Sequence, residues 1–479
     1  MVPAIVATVS EHAFADPQLE RATLGLRRRS PELSAHPVLT ARQRFVLATL
    51  AVAVGVALVA DADATVVALA VLGIAFNACA AAYRLFFCTY GLVLGDAPEA
   101  TAPERAPDEG LPMYTILVPL YGEAAVVPAL IRAIRALDYP AAKLDVKLLL
   151  EADDEETAAA VEAIASGPPF EVVVVPDGQP KTKPKACNYG VLTAKGEHVV
   201  IFDAEDIPDR DQLRKAVHAL KNGPADLVCM QARLNIWNRK QNVLTRVFTA
   251  EYCQRFDLYL PGLARVGAPI PLGGASNHFR LDVLRELGYW DPFNVAEDLD
   301  LGLRLARAGY RTETLQSTTY QESVSRVGPW IRQRSRWTKG FIQTWLVHMS
   351  HPIRLWRELG PAGWAHFQLI VAGAVVPLLL APVSLPLLLL WASGVPALPQ
   401  PVLLALAVNG IANTAVTTVV NLAGLLRRGH RDLAPYVVLF PPYGLLMSLA
   451  AWRGLVQLVL NPSYWEKTTH GVAGPAPAA

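Results

Sequence analysis

Cysteine is scarce. Five thiols in 479 residues, Cys79, Cys88, Cys187, Cys229 and Cys253, show no paired or metal-ligand spacing. This excludes a disulfide-stapled scaffold, and buried free thiols in a cytosolic setting are the expectation. Net charge is lacking as well: Lys and Arg number 43 against 42 Asp and Glu, leaving +1. Without a basic field the chain is not expected to bind nucleic acid. Nor does the sequence open on a secretory signal peptide, since the first apolar run starts near Phe45, behind a polar arm holding "LRRRS".

What the chain has in excess is apolar residue, 52% against 18% charged, so the apolar material must be concentrated in parts of it. The expectation is a membrane protein carrying a large water-soluble domain. Residues 1–40 read as a loosely ordered cytosolic arm. Phe45–Ala60 and Val66–Leu94, joined by the acidic "DADA", read as a transmembrane hairpin over 41–95. Arg27–Arg29, Arg42 and Arg44 precede it, which by the positive-inside rule puts the N-terminus in the cytoplasm. A linker rich in Pro, Ala and Glu (96–112) leads to a soluble domain over 113–327. Residues 328–360 read as amphipathic interface helices, 361–460 as C-terminal transmembrane helices, and 461–479 as a tail whose side is open. The Arg427–Asp432 turn is expected on the cytoplasmic side.

The soluble region alternates nearly all-apolar strands with helical stretches, the pattern of a parallel sheet covered on both faces. Ligands of such sheets sit at the carboxyl ends of the strands, and the acids fall there. "LLLEADD" ends one strand with Glu151, Asp153 and Asp154, and "VIFDAED" ends another with Asp203, Glu205 and Asp206. Carboxylates spaced i, i+2 after a buried strand can hold a divalent cation on oxygen or cap the next helix. Glu297 and Asp298 open an amphipathic helix, where acids also act as caps. "KTKPK" (Lys181–Lys185) adds lysines suited to sharing the charge of a phosphate-bearing ligand with a cation. The Gly-Gly turn in "PLGGAS" suits close backbone approach to a ligand. Pro329–Trp345, dense in arginine and tryptophan, fits a membrane-surface helix, a nucleic-acid patch or an anionic-substrate site.

In this order the elements resemble family 2 glycosyltransferases of the membrane-integrated, processive kind, the group of bacterial cellulose, hyaluronan and chitin synthases. The resemblance spans Thr115–Val347 and rests on Asp153, "DAE" (Asp203–Glu205) at the D-x-D position, "AED" (Ala296–Asp298) and "QRSRW" (Gln333–Trp337). "EADDEET", "TKPKACNYG", "PLGGASNHFR" and "WEKTTHG" look most like bacterial exopolysaccharide synthases. Glu205 stands where the family has a second Asp and Ala296 where it has Thr. "PLGGAS" replaces the Phe-Phe-Cys-Gly-Ser of cellulose synthases, which argues against cellulose as product.

The resemblance implies an α/β GT-A-like glycosyltransferase domain inserted between N-terminal and C-terminal transmembrane helices, in a bacterial inner membrane with the catalytic domain cytosolic. It implies a UDP-sugar donor, UDP-glucose first, a growing polysaccharide as acceptor, and Mg²⁺ or Mn²⁺ on Asp203 and Glu205. Asp298 is implied as general base with Glu297 beside it. Asp153, Glu151, Lys185, Asp203, Arg334 and Arg336 would bind the donor nucleotide; Gly274, Ser276, Gln333 and Trp337 would bind the acceptor. Trp330, Phe341 and Trp345 would lie at the bilayer surface. A β-linked glucan would be elongated with inversion and exported between membrane helices. Asn409, Asn413, Thr414, Thr417, Thr418 and Asn421 on one apolar segment would line that path or bond neighbouring helices. Accessory export or regulatory subunits are implied as partners, and cyclic-di-GMP, if used, would be sensed by another chain. Two rival readings are transfer of one sugar to a polyprenyl phosphate, and an inactive partner that binds polysaccharide or nucleotide.

Overall fold

The computed structural model describes residues 16–95, 108–165, 167–468 and 471. The first 15 residues of the expected arm, residues 96–107 of the expected linker, and residues 469, 470 and 472–479 of the tail lie outside them. Eight strands form one sheet: β1 (Tyr114–Leu120), β2 (Leu144–Glu151), β3 (Phe170–Val175), β4 (His198–Ile201), β5 (Ile207–Pro208), β6 (Leu227–Ile236), β7 (Asn277–Arg280) and β8 (Arg311–Gln321). Their order is β3-β2-β1-β4-β7-β6-β8-β5. Alternation along β1 sends Ile116 and Val118 into one core and Leu117 into another, so both faces of the sheet are covered.

The expected parallel sheet holds for β3, β2, β1 and β4, and again for β6 with β8. It fails at β7, which runs antiparallel to both β4 and β6, and at β5 against β8. The sheet is therefore mixed. The reversal is made just before β7, where Ser276 (φ 56°) donates its N–H to Ile201 and accepts from the Ala232 N–H with its carbonyl. Because β1, β2 and β4 still run the same way, Tyr121, Glu151 and Asp203 emerge at one edge.

Of the expected loose arm, residues 17–29 form a helix, Pro17–Arg29, capped by Asp16 and with Leu19, Leu24 and Leu26 buried. It docks on the lysine-bearing helix Lys183–Val191: Asn188 Nδ2 donates to the Ala22 carbonyl at 2.9 Å. Farther on, the Ala35 N–H donates to Asp291 at 2.5 Å and His36 stacks on Phe293 at 4.7 Å. The leucines fall at uneven spacing among Pro and Arg, which hid the helix in the sequence.

Among the described residues five helices are long and apolar enough to cross a membrane: Ala41–Ala60, Ala62–Leu94, Pro352–Ala392, Gln400–Arg427 and Arg431–Leu460. The third bends at Gly360 (φ 68°), which separates an amphipathic turn bearing Trp356 from the apolar length beyond. The last meets the α/β domain or its flanking helix at both ends. Tyr436 bonds Arg246 and Asp432 pairs with Lys240 at 3.2 Å at one end, and Lys339 donates to the Asn461 carbonyl at 3.2 Å at the other. The Arg427–Asp432 turn also touches the domain, through Arg428 paired with Asp257 at 2.8 Å.

The domain is joined to the spans where glycines cross. A methyl group on Gly91 would fall on the Leu258 carbonyl, and one on Gly262 on the Phe87 carbonyl. Helix Ala62–Leu94 therefore lies against the domain's helical arm, Val243–Ala264, with no room for a side chain between them, as small residues permit in membrane packing. Gly262→Leu is expected to force this crossing apart and lower the thermal midpoint of the detergent-solubilised protein by several degrees; an unchanged midpoint would contradict the contact.

Candidate active site

A cavity of about 670 Å³ opens at the shared strand edge, within the size range of nucleotide and cofactor sites. It gathers Glu151, Asp203, Glu205, Gly274, Glu297, Asp298, Gln333, Arg334, Arg336 and Trp337 of the expected site residues. Segments far apart in sequence, from β2 to the arginine–tryptophan helix, thus face one space.

The acids are crowded. Burial and the neighbouring Asp203 and Glu123 push the Glu205 carboxyl well above its ordinary pKa. Glu297 is raised to about 8 by burial and by the charge of Asp298, and Asp298 is itself raised by burial. Lysine answers them. Lys183 Nζ bonds Asp203 and donates to the Gly274 carbonyl at 2.6 Å. Burial works against its charge, yet Asp203 and Glu297 hold its pKa above the usual lysine value. Asp206 lies beneath the turn: it accepts from the Asp203 N–H at 2.9 Å and from Gln321 at 2.6 Å. Among the described residues no three His, Cys, Asp or Glu side chains group closely enough to hold a metal on their own.

Several expected residues stand elsewhere. Lys185 is fully buried behind the cavity wall, bonded to Glu151 at 2.9 Å; a two-residue step along its helix leaves Lys183, not Lys185, facing the cavity. Ser276 is also fully buried, just before β7, and donates to Thr319 at 2.7 Å. Asp153 is exposed at the rim, paired with Lys181 at 2.7 Å. Arg334 reaches the wall but is held bidentately by Glu251 at 2.6 and 2.8 Å, so its charge is already matched. Arg336 faces the acids instead, over the Trp465 ring at 4.3 Å. Trp330 is 0% exposed, packed on Tyr443 at 5.0 Å, since the last apolar helix covers the face expected to meet the bilayer. Phe341 lines the cavity, and Trp345 donates to Gln368 at 2.8 Å.

The helix carrying these residues, Val327–His348, is pressed against the loop that leads to Glu297 and Asp298. A methyl on Gly340 would strike Ala296, next to Glu297. On the same helix His348 bonds Asp300 at 3.0 Å, and Asp300 pairs with Arg304 at 2.8 Å.

Sequence reasoning missed three contributors. Tyr121, directly after β1, presents its ring between Lys181 and Lys467, each 5.6 Å from its centroid. Arg255 and Phe256 of the helical arm line the opposite wall. The C-terminal segment, whose side was open, returns to the cavity and lines it with Ser463, Tyr464, Trp465, Lys467 and Thr468. It is anchored by Lys339 on the Tyr464 carbonyl at 2.8 Å and by Arg453 on Glu466 at 2.7 Å. A basic–aromatic run after the last apolar stretch was the signal available for it.

A mixed α/β sheet with acids gathered at the carboxyl edge and apolar helices on either side of the domain defines a GT-A-like glycosyltransferase fold. Residues 115–276 match glycosyl transferase family 2, and residues 198–418 match glycosyl transferase family group 2. The chain thus contains glycosyltransferase family 2 domains, and the relatives that it matches include a polysaccharide synthase. It is 25% identical over 240 residues to the probable glycosyltransferase YdaM of Bacillus subtilis, covering 48% of this chain and 55% of that one. Over 228 residues it is 25% identical to the poly-beta-1,6-N-acetyl-D-glucosamine synthase of Staphylococcus aureus, covering 47% and 54%. The chain thus spans about half the length of these curated relatives. In structure it resembles a mannosyltransferase of Pyrobaculum calidifontis solved with GDP-Man and Mn²⁺, with a TM-score of 0.52, 21% identity, and coverage of 82% of this chain and 99% of that one.

Removing the partner of Arg334 tests its structural role. Glu251→Ala leaves a guanidinium that is 3% exposed without its counter-charge, and is expected to lower stability by roughly 2–4 kcal/mol. Calorimetry or chemical unfolding in detergent would read this; a loss below about 0.5 kcal/mol would return Arg334 to the list of ligand-binding groups.

Proposed function

We propose that the protein transfers a sugar from a UDP-sugar to an acceptor at the cytosolic face of a bacterial inner membrane, inverting the anomeric carbon and elongating a β-linked polysaccharide. The observation that carries this reading is the convergence of Asp203, Asp298 and Trp337 on one cavity beside the membrane helices. Asp298 is the general base: its carboxylate takes the acceptor hydroxyl's proton as that oxygen attacks, and one carboxylate suffices for a single displacement. Lys183 and Arg336 meet the diphosphate, where negative charge develops on the leaving group. Tyr121 offers a ring to the base, and Trp337 to the terminal sugar of the acceptor. The segment Ser463–Thr468 covers the bound donor.

The acids fit a divalent cation shared with the diphosphate rather than a self-sufficient metal site. Glu205 is buried against two other carboxylates, a charge that a cation would relieve. Asp203 and Glu205 would hold Mg²⁺ or Mn²⁺, which supplies charge neutralisation at the diphosphate. UDP-glucose remains the first donor to test, with UDP-N-acetylglucosamine next.

Single transfer to a polyprenyl phosphate is the second reading, and one observation favours it. The polar stripe expected to line an export path is engaged in helix pairing: Arg84 donates to Asn413 at 3.0 Å and Thr417 at 2.8 Å, and Asn77 donates to Asn409 at 2.8 Å. Incubating membranes with radiolabelled UDP-sugars separates the two. A high-mass, hydrolase-sensitive product supports elongation; a single solvent-extractable sugar lipid supports the rival.

Asp298→Asn is expected to cut turnover by about 10²–10⁴-fold, and unaltered activity would assign the chemistry to another chain. The pH dependence has a definite sign. A base works only when ionised, and burial raises the Asp298 pKa, so kcat/KM should fall with decreasing pH at a point above the ordinary Asp value of about 4. Lys183 stabilises both the Asp298 and Glu297 carboxylates. Lys183→Gln should therefore raise the donor KM and move the acid limb to higher pH; a limb left in place would contradict this assignment.

A further inference from the structure

Away from the acid-lined cavity, the 427–432 turn meets the soluble domain at a second concentration of positive charge. The domain contributes residues 237–242, which leave β6 and enter the helical arm. Lys240 pairs with Asp432 at 3.2 Å. Arg246 bonds the Tyr436 hydroxyl, with its guanidinium 4.6 Å from that ring. Burial first, then Arg239 and Arg428, hold the His430 imidazole below its ordinary pKa, so the charge here belongs to the arginines and Lys240. Two acids close to the cluster are already used: Asp432 by Lys240, and Asp257 by Arg428 through both oxygens at 2.8 and 2.9 Å. Among the described residues no carboxylate lies within ion-pair distance of Arg239 or Arg431.

Two donors there want an acceptor. Arg239 Nε and Trp237 Nε1 are both buried, with no hydrogen-bond partner among the described residues. A buried N–H without an acceptor is costly and rare in folded proteins, and an oxygen from outside the chain would satisfy both. The turn that holds them is firmly tied. Asn238 exchanges two hydrogen bonds with the Ser323 backbone at 2.8 and 2.9 Å, and Asn242 donates to the Ser325 carbonyl at 2.7 Å. The backbone carrying these side chains is thus fixed before any ligand arrives, which lowers the ordering cost of binding.

The height of the cluster on the molecule indicates the ligand. The 427–432 turn joins two of the helices long and apolar enough to cross a membrane, and Leu426 and Val438, 48% and 68% exposed, lie on either side of it. Apolar surface suited to acyl chains therefore stops where the arginines begin, at the level of lipid headgroups. We propose that residues 237–240 and 430–431 form a binding site for the headgroup of an acidic phospholipid, with Arg239 as its central phosphate contact. A guanidinium gives a phosphate two-point contact, and a headgroup of net negative charge matches the surplus cations. None of these residues lines the acid-lined cavity, so the site stands whether or not the sugar-transfer reading holds.

The test uses the full chain in detergent, titrated with phosphatidylglycerol or phosphatidylcholine, with bound lipid counted by native mass spectrometry. The wild type is expected to hold phosphatidylglycerol about tenfold more tightly than phosphatidylcholine, and Arg239→Gln to lose about fivefold of that affinity. Arg239→Lys should regain part of the loss. Arg42→Gln lies at the opposite end of helix Val327–His348, where Gln43 donates to the Leu346 carbonyl at 2.6 Å, and should bind as the wild type does. Phosphatidylglycerol should also raise the thermal midpoint of the wild type further than that of Arg239→Gln. If Arg239→Gln does not fold, Arg431→Gln carries the same comparison. Unchanged affinity in the variant used overturns the proposal, as does an equal loss in Arg42→Gln, which would mark a diffuse basic surface. Displacement of the lipid by an equal concentration of glycerol 3-phosphate overturns it too, since the ligand would then be a soluble phosphate.

Discussion

Like charge crowded into a half-buried space is the constraint on which this site depends. Asp203, Glu205, Glu297 and Asp298 share one cavity, and burying carboxylates together is unfavourable unless cations accompany them. Lys183 meets part of that demand within the protein, bridging Asp203 to the Gly274 carbonyl. Arg336 meets more of it from a different element. What is left over is the attraction that a metal-bound diphosphate would satisfy.

Much of this was legible in the sequence because strand ends are easy to see. An apolar run that stops at an acid marks where a buried strand reaches water, and Glu151, Asp203 and their neighbours needed no further information. Helix phase was harder. Lys183 and Lys185 lie two residues apart, about 200° around a helix, so one lines the cavity and the other is buried against Glu151. The same step separates Arg334, locked to Glu251, from Arg336. The resemblance named Lys185 rather than Lys183 and named both Arg334 and Arg336, and only packing tells the members of each pair apart.

Other parts left little trace. Ser276 is a small polar residue beside two glycines, which suits ligand approach as well as the strand reversal it makes. The N-terminal helix has too few regularly spaced leucines to stand out, yet it reaches the lysine helix, and the residues after it reach the Asp291–Phe293 loop that leads to Glu297. The C-terminal segment owes its place to contacts more than 100 residues distant in sequence, such as Lys339 with the Tyr464 carbonyl. Long-range placement of this kind has no periodic signature.

The helical arm shows how membrane packing and recognition can reside in one element. On its outer face Leu258 and Gly262 close against Phe87 and Gly91 so tightly that no side chain fits. On its inner face Tyr252, Arg255 and Phe256 look into the cavity. A regular helix would hold these two faces in fixed phase, and the π turn at Arg255–Tyr259 shifts that phase by one residue between them. The cavity wall that carries Tyr252, Arg255 and Phe256 is therefore built on the part of the domain fastened to the spans.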